Sequence, residues 1–502
     1  MNFSNQPKQQ WVSFLAFGAF AAILFGIKLW LIGSYGNATP FWDQWDGEAE
    51  YLYKPFLEGT LSWNNLIALH NEHRMLTVRL LSLALLVVNG IWNPLLELVV
   101  NALLHVVSLG FCIALLARAI GRNHLPALLV FSLVLFGVPY AWENTLMAYQ
   151  SFYFVFLFSL ASLWLTVNSN PLSARWWGGV VCAMLAFLSL ASGIFALAAA
   201  AVVGLALYVT GLRKTLRQLI AVGILAGLFM VGAALTPSLA HHAYLKAASF
   251  PQFFGALIAV LGWPISSNFL SAFFRSLPAF AFVGVMLWKR PPADDRRWFL
   301  LALVVWTLGQ AVSIAYGRAV GPLASRYMDL FAIGILVNFA CLISIAQDHM
   351  PKRSNWKIAG VSVWIAAVLL FLGVYTSMHI PTELAAKRDT GLAQEINTRN
   401  YLATGDLNHL KNKPSLAVPY PDPARLASIL ASPTIRAILP PNISPPLTPT
   451  STDGVAAGAP VVVGKLDAFI KLLLVYYFVF IVLGVVAVGV LVKQVGLTLR
   501  RW

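Results

Sequence analysis

The sequence predicts an all-α polytopic membrane protein, and its composition and the spacing of its charges lead to that fold class. Of its 502 residues, 59% are hydrophobic and only 11% are charged, and the mean hydropathy is +0.75. Soluble domains usually carry about 25% charged residues. Because charge is this scarce, most of the exposed surface must face lipid, which excludes a soluble domain with a single anchor.

Twelve apolar runs account for the predicted spans, since a membrane-spanning helix needs about 20 apolar residues. They lie at about residues 12–33, 95–117, 124–140, 147–167, 176–192, 194–211, 216–236, 269–288, 297–316, 328–346, 357–378 and 467–492. With a cytoplasmic N-terminus, the basic connections fall on the cytoplasmic side at every second crossing, as the positive-inside rule requires. Both termini are then cytoplasmic, and residues 35–94, 138–150, 237–267, 316–327 and 378–465 lie outside.

Two apolar runs are too short to be counted as spans. Residues 76–88 carry Arg79 and are interpreted as an interfacial helix at the outer boundary. Residues 253–263 end at Pro264 and are interpreted as interfacial or re-entrant, although a second reading makes both runs spans. The block at 176–211 is one long apolar stretch that only Ser192 and Gly193 divide into a hairpin.

Three regions follow from this topology. Residues 1–378 form the membrane core, which includes an acidic first outer loop at 35–94. Residues 379–465 form a small outer segment, whose first half can build one or two amphipathic helices and whose second half is rich in proline. This segment is expected to be a small lid or cap and not an independent enzyme domain. Residues 466–502 supply the final helix and a basic cytoplasmic tail.

The net charge of +15 does not indicate a nucleic-acid binder. Basic residues are the usual footprint of such proteins, but here they sit in short connections between apolar runs. There they fit cytoplasmic loops and contact with anionic lipid headgroups. The three cysteines, at positions 112, 182 and 341, lie inside apolar runs and have no metal-binding or disulfide spacing.

The first outer loop concentrates acidic residues together with tryptophans. Five of the chain's 19 acidic residues lie between positions 43 and 58, and Trp42 and Trp45 accompany them. If the segment after Pro40 is helical, Asp43 and Asp46 share one face with Glu50. A carboxylate partly desolvated by aromatic rings has a raised pKa and can act as a general base. The alternative is a solvated hairpin with interfacial tryptophans. The candidate catalytic residues are Asp43 and Asp46, and Glu48 is a candidate substrate contact.

The end of the same loop reads His70-Asn-Glu-His73-Arg74. The spacing of the histidines is not that of the HExxH zinc motif, and a metal role is weaker than an anion-binding one. Arg74 and His73 can contact a phosphate through charge-assisted hydrogen bonds. The alternative is that Arg74 pairs locally with Glu72 or Asp46.

Two arginines on the outer side break the positive-inside pattern. Arg318 and Arg326 lie in the turn between two predicted spans, where positive charge needs a partner. An anionic lipid-linked phosphate is the natural partner, with Tyr327 nearby, and the alternative is an ion pair with Asp329 or with the acidic loop.

Two further outer residues are candidates for substrate contacts. Glu143 stands beside Tyr140 and Trp142 and suits contact with a sugar, although an exposed loop glutamate is the alternative. Lys246 is a candidate for phosphate binding.

The layout resembles the GT-C superfamily of polytopic glycosyltransferases, which includes aminoarabinose, mannosyl and arabinofuranosyl transferases. The resemblance rests on the long first outer loop with WDQWDGE near its start and NEHR at its end, followed by many spans and a late outer segment. It implies transfer of a sugar from a polyprenyl-phosphate donor to a glycan, lipid or protein acceptor on the outer face of the bacterial inner membrane. The chain departs from well-known members because its late outer segment is small and is closed by a final span.

The resemblance also implies roles for individual residues. Asp43 matches the catalytic base, Asp46 is the next candidate, and Glu143 falls where relatives carry a second acid. The implied reaction is a displacement with inversion, in which Arg318, Arg326 and Arg74 stabilise the leaving phosphate. Arginines can neutralise a monophosphate, so no metal or other cofactor is required.

Three other functions stay open. An O-antigen ligase or polymerase would also have about a dozen spans and outer arginines. A transporter of lipid-linked glycans should carry charged residues within its spans, whereas here the charges are expected at the span ends. A non-enzymatic assembly subunit is the third alternative.

Overall fold

A computed structural model describes residues 6–349, 355–414, 416–444 and 464–499. Within these residues the named secondary-structure elements are helical, and one isolated β-bridge pairs His70 with His73. The all-α class is therefore confirmed for the described part of the chain. Residues 445–463 of the outer segment and 500–502 of the basic tail lie outside it.

Twenty α-helices follow one another in the described part of the chain. They are α1 (Gln6–Tyr35), α2 (Lys54–Leu57), α3 (Trp63–Ile67), α4 (Leu76–Asn89), α5 (Pro94–Ile120), α6 (Leu125–Phe136), α7 (Trp142–Leu146), α8 (Phe152–Val167), α9 (Ala174–Ser189), α10 (Phe195–Val209), α11 (Leu216–Ala234), α12 (Phe250–Gly262), α13 (Phe269–Lys289), α14 (Arg297–Gly317), α15 (Met328–His349), α16 (Asn355–Thr404), α17 (Pro423–Ala431), α18 (Pro433–Arg436), α19 (Asp467–Val475) and α20 (Tyr477–Leu499). A π-helix, Trp45–Tyr53, precedes α2.

The described residues contain eight helices long and apolar enough to cross a membrane, or up to ten if two bent helix pairs each count as one span. The bent pairs join α6 to α7 and α19 to α20, with angles of 47° and 53°. This content indicates a multi-pass membrane protein. The predicted spans at 147–167 and 176–192 correspond to α8 and α9, which have 16 residues each. Sixteen residues rise only about 24 Å, less than the roughly 30 Å hydrocarbon core.

The two runs interpreted as interfacial form short helices. Helix α4 has 14 residues and α12 has 13. At about 20 Å, each is shorter than the hydrocarbon core of a bilayer. Gly90 ends α4 with a φ of 88°, a left-handed conformation that suits glycine at this position.

Helix α16 joins a predicted span to the outer segment without a break. It has 50 residues with Pro381 inside it, and therefore measures about 75 Å. The apolar run at 357–378 and the polar run up to Thr404 are thus one helix, and not a span followed by one or two separate amphipathic helices. Its polar half extends well beyond the length of a single membrane crossing.

The first and last long helices pack closely because glycines remove side chains from their contact. A Cβ on Gly26 would lie 2.7 Å from Ile481 Cγ1, and a Cβ on Gly33 would lie 3.3 Å from the carbonyl oxygen of Leu474. Small residues at helix crossings allow such approach in membrane proteins. The N-terminal region of the chain is thereby fixed to the final bent pair of helices, α19 and α20.

A second hydrophobic core lies outside the main helix bundle. We call residues 36–93 and the described part of 405–444 the cap. Trp45, Tyr53 and Trp92 of the first loop are buried against aliphatic side chains of the late segment, such as Leu426 and Ile435. Burying a large apolar side chain stabilises by about 1.5–3 kcal/mol, so this cluster joins the two parts of the cap. The late segment therefore packs against the first loop.

The interhelical connections gather on two faces of the bundle. On the cap face, the Trp142 indole donates a hydrogen bond of 2.6 Å to Glu383 of α16. On the opposite face, the Arg213 guanidinium donates to the carbonyl oxygens of Val167 and Ala293 at 3.4 and 2.9 Å. The cap face contains the candidate residues of the first loop and of the turn before α15.

Candidate functional site

Asp43 lies at the rim of the cap, directly after a residue with a constrained backbone conformation. The preceding residue, Trp42, has a φ of 48°, which is unusual for a residue with a bulky side chain. Its N–H donates to the Pro419 carbonyl at 2.8 Å, so the late segment holds the turn in place. The Asp43 carboxylate is half exposed and has Oδ1 3.4 Å from His70 Nε2. Asp43 is therefore an accessible acid in a constrained turn.

The pKa of Asp43 lies below its ordinary value, contrary to the sequence-based expectation of a raised one. Burial alone would raise this pKa, but His70 lowers it through a hydrogen bond and its charge, and Arg326 and His73 lower it further. The neighbouring cations and donors outweigh desolvation by the aromatic rings. Asp43 is consequently ionised at neutral pH.

His70 and His73 close a tight turn and do not share a helix face. The His70 N–H donates to the His73 carbonyl at 2.7 Å, and the His73 N–H donates back at 3.0 Å. Asn71, within the turn, has a φ of 52°. The His70 ring meets Tyr149 edge-on, with 5.5 Å between ring centres. The turn therefore sets the orientation of His70 toward Asp43.

Glu72, at the tip of this turn, links the cap to two other loops. Its carboxylate lies 2.7 Å from His242 Nδ1 and 3.5 Å from an Arg318 Nη atom. Burial alone would raise the pKa of Glu72, but His242 and Arg318 more than offset this effect and lower it. Arg318 thus pairs with the acidic loop, one of the two ion pairs anticipated for it. Its contact with Glu72 was not anticipated.

His73 is partly buried beside these groups. Burial, with the charge of Arg318 adding to it, lowers the pKa of His73 to about 4, so the ring is neutral at neutral pH. The Ala191 N–H points at His73 Nδ1 from 3.4 Å, which leaves the proton on Nε2. The expected contact of His73 with a phosphate stays a prediction, and in the neutral ring Nε2–H is the donor for it.

Glu143 and Arg326 are tied together through the backbone. The Arg326 N–H donates to the Glu143 carboxylate at 3.0 Å, and the Glu143 N–H donates to Ser325 Oγ at 3.2 Å. The Arg326 guanidinium lies 5.5 Å from the centre of the Tyr327 ring and acts on Asp43 through its charge. The structure thus brings Glu143, Arg326 and Tyr327 to the same region as Asp43.

The carboxylate of Asp46 has different partners from that of Asp43, and the common face with Glu50 stays a prediction. Arg425 donates to Asp46 Oδ1 through Nε at 3.1 Å and through Nη2 at 3.0 Å, and the Tyr420 hydroxyl donates to Oδ2. Both partners belong to the late segment of the cap. The accepting oxygens of Asp46 are occupied, so this carboxylate joins the two parts of the cap.

Glu48 is fully buried and cannot contact a substrate in this structure. It accepts hydrogen bonds from Ser82 Oγ at 2.7 Å, Gln44 Nε2 at 2.8 Å and Trp92 Nε1 at 3.0 Å. Burial raises the pKa of Glu48, although these donors lower it in part. The sequence could not distinguish Glu48 from its neighbours because the π-helix turns each of them toward a different environment.

Two of the predicted phosphate-binding residues have local partners instead. Arg74 donates to the Ile67 carbonyl at 3.1 Å, and Lys246 donates to Ser238 Oγ at 2.8 Å. The anticipated pairing of Arg74 with Glu72 or Asp46 is not among its contacts in the described residues. The candidate site therefore centres on Asp43, with Arg318 and Arg326 as its arginines.

An open cleft is lined in part by Asp43, and its lining also contains a lysine that sequence reasoning missed. The cleft is bounded by Phe41 and Tyr149, by polar groups such as Asn37, and by Lys387 of α16. The Lys387 ammonium lies 4.1 Å from the centre of the Phe41 ring. Nothing in the sequence separates Lys387 from the neighbouring Arg388, because its position depends on how α16 packs.

Ionisable residues are also buried within the candidate spans: Lys28 and Asp329 lie toward the ends of their spans, as expected, and His105 lies near the middle of α5. Lys28 of α1 donates to Thr145 Oγ1 at 3.3 Å, and His105 Nε2 lies 3.9 Å from Asp329 Oδ1. The Asn144 amide donates to Asp329 at 2.8 Å. Lys28, His105 and Asp329 are all buried. An apolar run can thus contain a buried polar network that its average hydropathy conceals.

The described residues contain no group of three or more His, Cys, Asp or Glu side chains that could hold a metal ion. Comparison of the chain with protein-family models, with curated proteins and with solved structures gives no match in any of the three. The geometry of the cap face is therefore the basis for any assignment of function.

Proposed function

We propose that this chain is a membrane glycosyltransferase that moves a sugar from a polyprenyl-phosphate donor to an acceptor. In this proposal the chain crosses the bacterial inner membrane about twelve times, with both termini in the cytoplasm and the cap in the periplasm. The lipid of the donor stays among the helices while the sugar projects toward the cap. Membrane lipids surround the bundle, and nucleic acid is not a partner.

One observation carries the proposal: an ionised, accessible carboxylate lies beside two arginines on the face where the long helices end. Asp43 is half exposed, and Arg326 and the neighbouring histidines act on its charge. Arg318 reaches the same cluster through Glu72. A base beside fixed positive charge suits the transfer of a group from a phosphate leaving group.

The reaction follows from these positions. The acceptor hydroxyl gives its proton to Asp43 as its oxygen bonds to the anomeric carbon. The bond from that carbon to the phosphate oxygen breaks, and its electron pair stays on the phosphate. Because the low pKa of Asp43 makes it a weak base, proton transfer accompanies bond formation, when the hydroxyl has become acidic.

Arginines supply the electrostatic part of the mechanism. Arg318 and Arg326 stabilise the charge that develops on the leaving phosphate, which is often the largest contribution to catalysis. His73 donates through its neutral Nε2–H to a sugar or phosphate oxygen. In this scheme no divalent metal or other cofactor is required.

The test is sugar transfer by the purified full chain from a synthetic polyprenyl-phosphate sugar. Asp43→Asn should lower turnover by about 10²–10⁴-fold, the usual contribution of a general base. Glu50→Gln is the matched control, because Glu50 is in the same loop but pairs with Lys54 at 3.4 Å. Arg318→Ala and Arg326→Ala should weaken donor binding. Unchanged turnover in Asp43→Asn would rule out Asp43 as the base.

A transporter of lipid-linked glycans is a second candidate, and the buried Lys28, His105 and Asp329 favour it. Ionisable groups within spans often mark transport pathways. Proteoliposomes separate the two functions: a transporter moves an intact lipid-linked glycan across the bilayer, and Asp43→Asn leaves that movement unchanged. A transferase breaks the sugar–phosphate bond, and Asp43→Asn abolishes the products.

A further inference from the structure

Lys387 is a buried cation whose ammonium lacks an anionic partner at contact distance. Its residue is 8% exposed, and in the described residues its ammonium makes no hydrogen bond or ion pair. Lysine is almost never this buried unless it is paired. Its recorded contact is the Phe41 ring at 4.1 Å, which offsets only part of the loss of water around the ammonium.

The surroundings keep Lys387 in this position. One turn before it on α16, Glu383 accepts the indole hydrogen bond of Trp142 at 2.6 Å. One turn after it, Gly391 packs against Asn37, and a Cβ there would lie 2.9 Å from the Asn37 amide nitrogen. Helix α16 is therefore fixed to the bundle on one side of Lys387 and to the cap on the other. The acid whose charge acts on Lys387, Glu143, already accepts a hydrogen bond from the Arg326 backbone N–H.

Lys387 and Asp43 line the same cleft. Phe41 and Tyr149 supply aromatic walls, and Asn37 and Thr39 supply polar groups. A mixture of aromatic and polar walls suits a sugar ring, and an unpaired cation in the wall suits a negative substituent on that ring.

We propose that this cleft binds the acceptor, and that the acceptor is a sugar carrying a carboxylate or phosphate that pairs with Lys387. This inference rests on the proposed function for the role of Asp43, because it places the reacting hydroxyl at Asp43 and the anionic substituent at Lys387. The donor phosphate is separate, since Arg318 and Arg326 belong to the turn before α15. Lys387 is then the residue that selects acidic over neutral acceptors.

Binding to the full chain in nanodiscs tests the inference without requiring turnover. Glucuronic acid, glucose 6-phosphate and glucose are titrated, and saturation-transfer NMR measures their affinities. The wild type should bind one or both acidic sugars at least tenfold more tightly than glucose, and the better one identifies the substituent as a carboxylate or a phosphate. Lys387→Met should remove this preference, and Lys387→Arg should retain it.

Controls separate this inference from the proposed function. Arg388→Met alters the adjacent cation, which is 55% exposed and pairs with Asp389, and it should leave the preference intact. Asp43→Asn should abolish transfer but not the preference for acidic sugars. A chain that binds acidic sugars through Lys387 but transfers no sugar would refute the transferase and leave the binding site standing.

Two results would overturn the inference. One is an equal affinity of the wild type for acidic and neutral sugars. The other is a loss of polyprenyl-phosphate binding in Lys387→Met with the preference for acidic sugars unchanged, which would assign Lys387 to the donor phosphate.

Discussion

Breaking the contact between Asp46 and Arg425 should loosen the cap without removing the chemistry. The two side chains are 22% and 33% exposed, and two guanidinium nitrogens share Asp46 Oδ1 at 3.0 and 3.1 Å. Hydrogen bonds to charged groups contribute about 1.5–3 kcal/mol, whereas exposed ion pairs contribute about 0–1 kcal/mol. For a partly exposed pair with this geometry we expect a coupling of about 1–2 kcal/mol.

A double-mutant cycle measures this coupling. Asp46→Asn, Arg425→Met and the double variant are compared by hydrogen exchange of residues 416–444 in the full chain. Each single variant should lower the opening free energy by about 1–2 kcal/mol, and the double variant by little more than either single variant. Arg436→Met is a control in the same segment, since its Nε donates to the Leu430 carbonyl and not to the first loop.

Turnover gives a second, independent readout of the same variants. If Asp46 only joins the two parts of the cap, Asp46→Asn and Arg425→Met should lower turnover by similar factors, below about 30-fold, which corresponds to 2 kcal/mol. A loss of more than 10²-fold in Asp46→Asn with Arg425→Met near wild type would refute the structural role. Strictly additive effects on the opening free energy would refute it as well.

Two further predictions concern the surroundings of Asp43. The pKa of His73 falls from about 6.5 in the unfolded chain to about 4 in the folded one, so its contribution to stability is complete above pH 6.5 and is lost as pH falls toward 4. Relative to His73→Gln, the wild type should lose about 3 kcal/mol of unfolding free energy over that interval in detergent titrations, and parallel pH curves would contradict this. Gly47→Ala would place a Cβ 2.8 Å from the Tyr149 ring and should lower the unfolding free energy by about 1–3 kcal/mol. Gly110→Ala is the control, because a Cβ there has nothing within 4 Å. Equal stabilities of the two variants would refute the clash.

The sequence predicts the long helices well because each must cover its backbone with apolar residues in lipid. Helices α1, α5 and α11 match the predicted spans at 12–33, 95–117 and 216–236, respectively. Their ends agree to within a few residues, except that α1 starts six residues earlier. The start of α8 is predicted less well, because tertiary contacts determine it. Gln150 donates to the Asn144 side chain at 2.7 Å and accepts from the Phe152 N–H at 2.9 Å. These bonds hold residues 147–151 in a turn, although hydropathy alone extends the helix through them.

Only part of the candidate site was predicted, because tertiary contacts determine the rest of it as well. Asp43, Arg318 and Arg326 were recognisable as charges in a chain that has few. Their partners were not, because Glu72 is 246 positions from Arg318, and Lys387 reaches the cleft only through the packing of α16. Spacing along the chain describes local faces only, and it does not reveal that Asp43 and Asp46 have separate partners.

The buried network of Lys28, His105 and Asp329 connects the membrane core to the candidate site. The Asp329 carboxylate accepts a hydrogen bond from Asn144, the residue after Glu143. Asp329 is in the first turn of α15, three residues after Arg326. Lys28 donates to Thr145 of α7, and its charge acts on the buried Asp329 of α15, so this cation links the two helices. These two helices carry Glu143 and the turn of Arg326.

Charges within the spans therefore need not mark a transport path: in a transferase, they fix the separation between the arginines and the base. Lys28→Met should then reduce transfer through a displaced Arg326 while leaving the affinity of the cleft for acidic sugars unchanged.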